Sequence, residues 1–302
     1  MKERSEELSR ECENLRILHT LIWQAHRNSI AKPIFSYQQE DAFIFAQTCL
    51  EGFRLKNMDR GRAFSAGRFR KLLLALTDWL LEFHRAGGAA RAPLNETALE
   101  EHIDEPLRVF KERFSISNNL ASLLTEVRDS LHSASRQGEP MPRVFVHGDL
   151  SAANILVSKD DLRIIDWEHP LTRQVCMSDL VHFMASCRVI RTGSLSREEI
   201  YRRNFQQLFF NTGAYGAACR IAAKRYLDAL GVAWHLAQAL YVMAWITHAN
   251  RKAQWLETRE QSQAEGHGTD DPNSAFPVTF FEGGSVMNLE LLAEDRQRFV
   301  LQ

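Results

Sequence analysis

His147, Asp149, Asn154 and Asp166 are the residues of this chain whose types and spacing could do chemistry. Asp149 and Asn154 stand five positions apart in a polar stretch between two β-branched runs, Val144 to Val146 and Ile155 to Val157, and Asp166 closes a third run that starts at Leu162. Moving a γ-phosphoryl group asks little covalent chemistry of a protein. It needs one carboxylate to orient the attacking hydroxyl and oxygen ligands to hold magnesium against the phosphates. Asp149 suits the first role. Asn154 and Asp166 suit the second, because Mg²⁺ takes hard oxygen donors and commonly binds through one or two protein ligands plus phosphate and water. His147 is placed to brace the loop rather than to react. A lone His-x-Asp is common in loops, where Asp accepts local backbone hydrogen bonds; four such residues at the mouths of apolar strands are a stronger signal.

These residues also carry a family likeness. His147-Gly148-Asp149 with Asn154, followed by Asp166-Trp167-Glu168, resembles the catalytic loop and metal-binding aspartate of the aminoglycoside phosphotransferase and choline kinase family. Protein kinases have Arg before the loop Asp and Asp-Phe-Gly at the metal site. Gly148 and Trp167-Glu168 stand there instead, and no Ala-Pro-Glu follows. The resemblance implies an α+β, protein-kinase-like two-lobe fold with a mainly α-helical large lobe. It implies transfer from ATP, with Mg²⁺, to a hydroxyl of a small metabolite, amino sugar or antibiotic. Asp149 and His147 would form the catalytic set, and Asn154 and Asp166 would hold the metal.

The elements that must position these residues are legible on both sides. Leu72 to His84 repeats apolar residues at helical spacing, and the same recurrence covers Arg68 to Arg85, Leu120 to Ser135, Arg197 to Phe210, Gly216 to Leu230 and Ala233 to Glu257. Pro140 and Pro142 end one helix and lead into the catalytic strand. Ser178 opens an apolar helical stretch in which Asp179, by the resemblance, ties down the catalytic loop. His84 reads as a packed helix-end residue, and Trp234, Trp245 and Trp255 as core or pocket wall.

The first 52 residues resemble only part of the family's small lobe, with residues 53–302 forming the large one. Leu8 to Leu18 resembles the small-lobe helix, in which Glu11 would pair with the lysine that holds the α- and β-phosphates. Pro33 to Ser36 and Ala42 to Thr48, around a polar turn at Gln38 to Asp41, read as a hairpin feeding the hinge; backbone near Thr48 and Leu50 would face an adenine ring. No Gly precedes Gly52, so no glycine-rich loop covers the phosphates. Lys2 stands nine residues before Glu11, where a short version of the family could place its phosphate lysine, or it is an ordinary charged terminal residue. Met1 is accordingly suspected to be internal to a longer reading frame. A truncated lobe leaves Phe43, Ile44 and Phe45 near an unprotected sheet edge. The expectations are weak nucleotide affinity and self-association through that edge. The rival reading is a catalytically weak kinase-like protein that binds a ligand or partner.

Composition narrows the classes further. The chain has 302 residues, 45% of them hydrophobic and 25% charged, as in an ordinary globular protein of two lobes. A formal charge of −1 offers no general attraction for nucleic acid or an anionic membrane. Five cysteines without paired spacing suggest neither a disulfide framework nor a zinc site. The first 20 residues are too charged for a signal peptide, and Ala229 to Ile246 is interrupted by Gly231, His235 and Gln238, so a cytoplasmic location is expected. The acidic stretch Asn95 to Glu105 reads either as a solvated helix face or as a complement to a cationic acceptor. Gln261 to Asn273 reads as a polar loop, with Phe276 to Phe281 docking it back.

Overall fold

The computed structural model describes residues 2–26, 28–39, 42–57, 63–89, 91–158, 161–169, 172–191, 193–264 and 278–301. The chain opens with a long helix, α1 (Lys2–His26), and a hairpin of β1 (Pro33–Gln39) and β2 (Ala42–Gln47). Pro33 pairs with Gln47 at one end of the hairpin and Gln39 with Ala42 at the other. Helix α1 packs on this hairpin and on α2 (Ala66–Ala86). It does so because Cys12, Leu15 and Leu18 recur at i, i+3 and i+6 and are all buried.

The rest of the chain is mainly helical, as expected. In order come α3 (Glu96–Leu99), a π-helical turn (Glu100–Asp104), α4 (Glu105–Arg113), α5 (Asn118–Arg136), β4 (Arg143–Val146), β5 (Ile155–Ser158), β6 (Asp161–Ile164), β7 (Thr172–Val175), α6 (Ser178–Ser186), α7 (Arg197–Phe209), α8 (Ala214–Leu230), α9 (Ala237–Ala264) and α10 (Val278–Glu294). Ser residues start several of these helices. Ser65 and Ser117 accept the N–H of Arg68 and Leu120, and Ser196 and Glu199 form a reciprocal capping box. Helix α9 is the central post of the large lobe: every residue from Ala239 to Ile246 is buried, so its sequence is apolar all round in that stretch.

Two small sheets present the segments that carry Asp149 and Asp166. A short β3 (Phe53–Arg54) pairs with β5, which pairs with β6, while β4 pairs with β7. The loop from β4 to β5 and the end of β6 therefore emerge side by side. Ile30 bridges in parallel to Ile164, and the Ile164 N–H donates to the Ser29 carbonyl at 2.7 Å, which fastens the N-terminal part to β6.

The structure alters the expected start of one loop and refines the acidic stretch. Helix α9 continues through Ala264, past the point where a polar loop was expected to begin, because nothing in that stretch breaks a helix. The rest of the expected loop, and the docking of Phe276 to Phe281, fall outside the described residues or side chains. The acidic stretch is helical but is not an open wall. Asp104 binds Arg128 at 2.6 Å and His132 at 3.0 Å, and Glu105 binds Arg108 at 2.6 Å. Among the described residues, no helix is long and apolar enough to cross a membrane.

Candidate active site

Strand β4 delivers His147 into a braced position. Its Nε2 meets the Ile165 carbonyl at 2.9 Å, and its Nδ1 accepts the Asp149 N–H at 3.3 Å. Its ring lies 4.5 Å from that of Trp167, centroid to centroid. With both nitrogens occupied and the side chain buried, His147 joins the catalytic loop to the end of β6 and has no face left for a substrate. Asp179 completes the brace. Its Oδ2 accepts the His147 N–H at 2.7 Å and its Oδ1 the Gly148 N–H at 3.0 Å. Met177, in left-handed backbone with φ 87°, turns the chain so that Asp179 falls in the first turn of α6.

Asn154 comes to Asp149 by the same loop. Its Nδ2 donates to the Asp149 carbonyl at 3.0 Å and to Asp149 Oδ2 at 3.1 Å, which leaves its amide oxygen turned away from Asp149. The Ile165 N–H donates to the Asn154 carbonyl at 3.0 Å and so brings Asp166 alongside. Asp166 has φ 72°, an unusual backbone for a residue with a side chain and of the kind that clusters at functional sites.

The electrostatics separate the two aspartates. Burial would raise the Asp149 carboxyl, but its electrostatic interaction with His182, Lys252, His147 and His169 outweighs it and holds the group below its ordinary value. Burial and the neighbouring Asp149 instead hold Asp166 above its ordinary value. Glu168 is pushed up to about 7 by burial first, then by Asp166, Glu7, Asp149 and Glu11. These carboxylates repel one another, and a divalent cation would relieve that repulsion. The donor set of one carboxylate and one amide oxygen fits Mg²⁺, which completes its shell with phosphate and water. Among the described residues, no group of three or more His, Cys, Asp and Glu could hold a metal by itself.

Glu11, Thr48 and Leu50 meet around one cavity of about 230 Å³, closed below by Leu156, Ile164 and Trp167. Thr48 is spent on β1: its N–H donates to the Lys32 carbonyl at 2.9 Å, and its Oγ1 accepts the Lys32 N–H at 2.8 Å. Leu50 borders the cavity without that role. The partners of Glu11 are the Gln47 side chain and the Trp167 backbone, not a lysine, and burial raises its carboxyl. Lys2 does not face Glu11 from a strand, as a phosphate lysine would; it opens α1 itself, nine residues or roughly 14 Å of rise from Glu11. Its side chain lies outside the described residues.

Several contributors had no local signal. Asn14 of α1 donates to the carbonyls of Trp167 at 2.6 Å and His169 at 2.7 Å. His182 of α6 lies 3.7 Å from Asp149 Oδ1. Arg251 of α9 lies against Gly148, where an added Cβ would come within 2.0 Å of its Nη1. The polar residues His248, Asn250, Arg251 and Lys252, which follow the apolar run Ala239 to Ile246 of α9, are the sequence feature that could have pointed to Arg251.

A helical lobe that presents an aspartate on a strand-to-strand loop, an asparagine five residues later and a second aspartate at the next strand's end is the framework of a kinase-like phosphotransferase. The chain matches the phosphotransferase enzyme family over residues 3–188, more than half its length, and belongs to that family. No curated protein matches the sequence. Among solved structures, glucosamine kinase in complex with glucosamine, ADP and inorganic phosphate is 14% identical, covers 93% of this chain and 72% of its own, and superposes with a TM-score of 0.51. A second crystal form of glucosamine kinase is 13% identical, with 93% and 70% covered and a TM-score of 0.52. At these identities the likeness is one of fold.

Proposed function

We propose that this phosphotransferase moves the γ-phosphoryl group of ATP, with Mg²⁺, to a hydroxyl of a small molecule. The observation that carries the proposal is the convergence of Asp149 and Asn154, 3.1 Å apart, beside the strained Asp166. Asp149, held in its charged form, accepts the proton of the acceptor hydroxyl. The acceptor oxygen bonds to the γ-phosphorus as the bond to the β-phosphate oxygen breaks, and ADP leaves. Asn154 and Asp166 would hold the metal, which supplies neutralising charge to the phosphates when bound. The cavity at Glu11 and Leu50 is the position for the base, with residues 1–52 as the nucleotide part and 53–302 as the acceptor part. A cytoplasmic location belongs to the same reading: all five cysteines are free thiols.

A second reading, a kinase-like protein with weak catalysis that binds a ligand or partner, is favoured by Glu11, whose partners are Gln47 and Trp167. Calorimetry of Mg²⁺·ATP binding to the chain and to its Asp166→Ala variant separates the two. Binding that needs both magnesium and Asp166 supports the transferase. Equal binding, or none, by both proteins would leave only the second reading.

A further inference from the structure

The active site is electrically polarised by the elements that build it. The ionisable neighbours that lower Asp149 are basic, His182, Lys252, His147 and His169, while Asp149 in turn raises Asp166 and Glu168. Those that raise Glu168 are acidic: Asp166, Glu7, Asp149 and Glu11. The acidic groups come from α1 and from the ends of the catalytic strands, on the side of the metal ligands. Two of the four basic ones, His182 and Lys252, come from α6 and α9, which pack on each other.

Two basic groups of α9, Arg251 and Lys252, carry fixed charge. The Arg251 guanidinium is part-buried and occupies the space over Gly148 that any side chain there would need. That residue has φ 88°, so glycine serves both the backbone and the arginine. Lys252 follows directly, part-buried, and reaches Trp255 at 5.1 Å from its ring centroid. The histidines beside them add donors rather than charge. His182 and His248 lie with ring centroids 4.3 Å apart, both shifted toward the neutral form by burial. The Nδ1 of His182 is buried and has no hydrogen-bond partner. Within the acidic stretch, Asp104 and Glu105 are already paired with Arg128 and Arg108.

We propose that the acceptor carries an anionic group, a carboxylate or a phosphate ester, which Arg251 and Lys252 bind while Asp149 orients the hydroxyl. A guanidinium fork matches such planar or tetrahedral oxyanions in two parallel hydrogen bonds. An ammonium-bearing acceptor would instead bring a further positive charge against two fixed ones in a part-desolvated space. The inference rests on the phosphotransferase reading and narrows its acceptor.

The test is calorimetry on the full chain, apo and loaded with Mg²⁺·ADP, using sets of acceptors that differ mainly in charge: glycerate, glycerol and serinol; glucuronate, glucose and glucosamine. The acid of at least one set is expected to bind about tenfold more tightly than its neutral and cationic counterparts. Arg251→Gln should abolish that preference and Arg251→Lys restore part of it, with the fold of each variant checked by circular dichroism. Equal or weaker binding of the acids in every set overturns the proposal, as does a preference that survives in Arg251→Gln. If Arg251→Gln weakens the Mg²⁺·ADP·aluminium fluoride complex as much as it weakens the acid, the arginine serves the transferring phosphoryl group, and the proposal is likewise wrong. Failure of the wild-type chain to bind Mg²⁺·ADP would count against the phosphotransferase reading alone, since the acid preference is still read in the apo chain.

Discussion

The Asp179 carboxylate accepts the backbone N–H of His147 at 2.7 Å, across 32 positions of sequence. With its second oxygen on the Gly148 N–H at 3.0 Å, one buried side chain holds the two amides that lead into the catalytic aspartate. Helix α6 and strand β4 are thereby locked in register, and the direction in which Asp149 leaves the loop is set.

Removing that acceptor leaves two buried amides unsatisfied. Asp179→Ala is expected to cost about 2–4 kcal/mol of stability, at roughly 1–3 kcal/mol per orphaned group, less what local relaxation recovers. Asp179→Asn, which keeps one acceptor, should cost less. Urea denaturation of the three proteins checks the order.

Gly148→Ala should destabilise the catalytic loop by about 1–3 kcal/mol, because a Cβ at φ 88° is strained and collides with Arg251. Combining it with Arg251→Ala should recover the steric part but not the backbone part. A double-mutant cycle of thermal stabilities reads the difference. Strictly additive effects would show that the two residues do not touch.

Glu168 gives a pH signature. Its carboxyl, normally at 4.5, is pushed up to about 7 in the folded chain, so between those values the native state holds a proton the unfolded state has lost. Stability from this group therefore falls as pH rises through that window and stays lower above it. His84, lowered to about 3, and His169, lowered to about 4, act in the opposite sense up to the ordinary histidine value of 6.5. The difference between wild type and Glu168→Gln isolates the glutamate. The variant should gain relative stability from pH 4.5 to about 7, and Mg²⁺ should narrow the gap above pH 7. Thermal melts across that range, with and without Mg²⁺, measure both effects.

Asn14→Ala should loosen the segment behind Asp166 without touching a reactant. Two carbonyl contacts, at 2.6 and 2.7 Å, are lost together. The expected result is a loss of about 1–3 kcal/mol in stability with a parallel weakening of Mg²⁺·ATP binding. A fall in stability with nucleotide affinity unchanged would limit Asn14 to a purely structural role.

We propose self-association through the hairpin of β1 and β2. Ile34 and Phe35 are neighbours on β1, on opposite faces, yet are 64% and 54% exposed, and Ile44 on β2, paired with Tyr37, is 53% exposed. A two-stranded sheet with apolar residues open on both faces is a site for pairing with another copy. Sedimentation velocity should show concentration-dependent association that Ile34→Lys with Ile44→Glu abolishes. A wild-type monomer at all concentrations would contradict this.

The candidate site was readable where its parts are close in the chain. His147, Asp149 and Asn154 share one loop whose flanking strands announce themselves by β-branched runs, and Asp166 follows on the next hairpin, so spacing alone put them in one place. Helical periodicity likewise found α2, α5, α7, α8 and most of α9, because burying one face imposes a period that sequence must obey. The relation of Lys2 to Glu11 was not readable in this way, since helix α1 begins at Lys2 and carries both residues on one rod.

Periodicity tells which face of a helix is buried and not which helix it meets. Asn14 reaches Trp167, Asp179 reaches His147, and Arg251 reaches Gly148, each more than 30 positions away in sequence and each through packing of elements that carry no mutual signal. The sequence by itself thus determined the reactive groups and the local frame that exposes them. Only the tertiary structure decided their charge environment, because burial and the opposed carboxylates and cations around Asp149 and Glu168 come from helices brought together by the core.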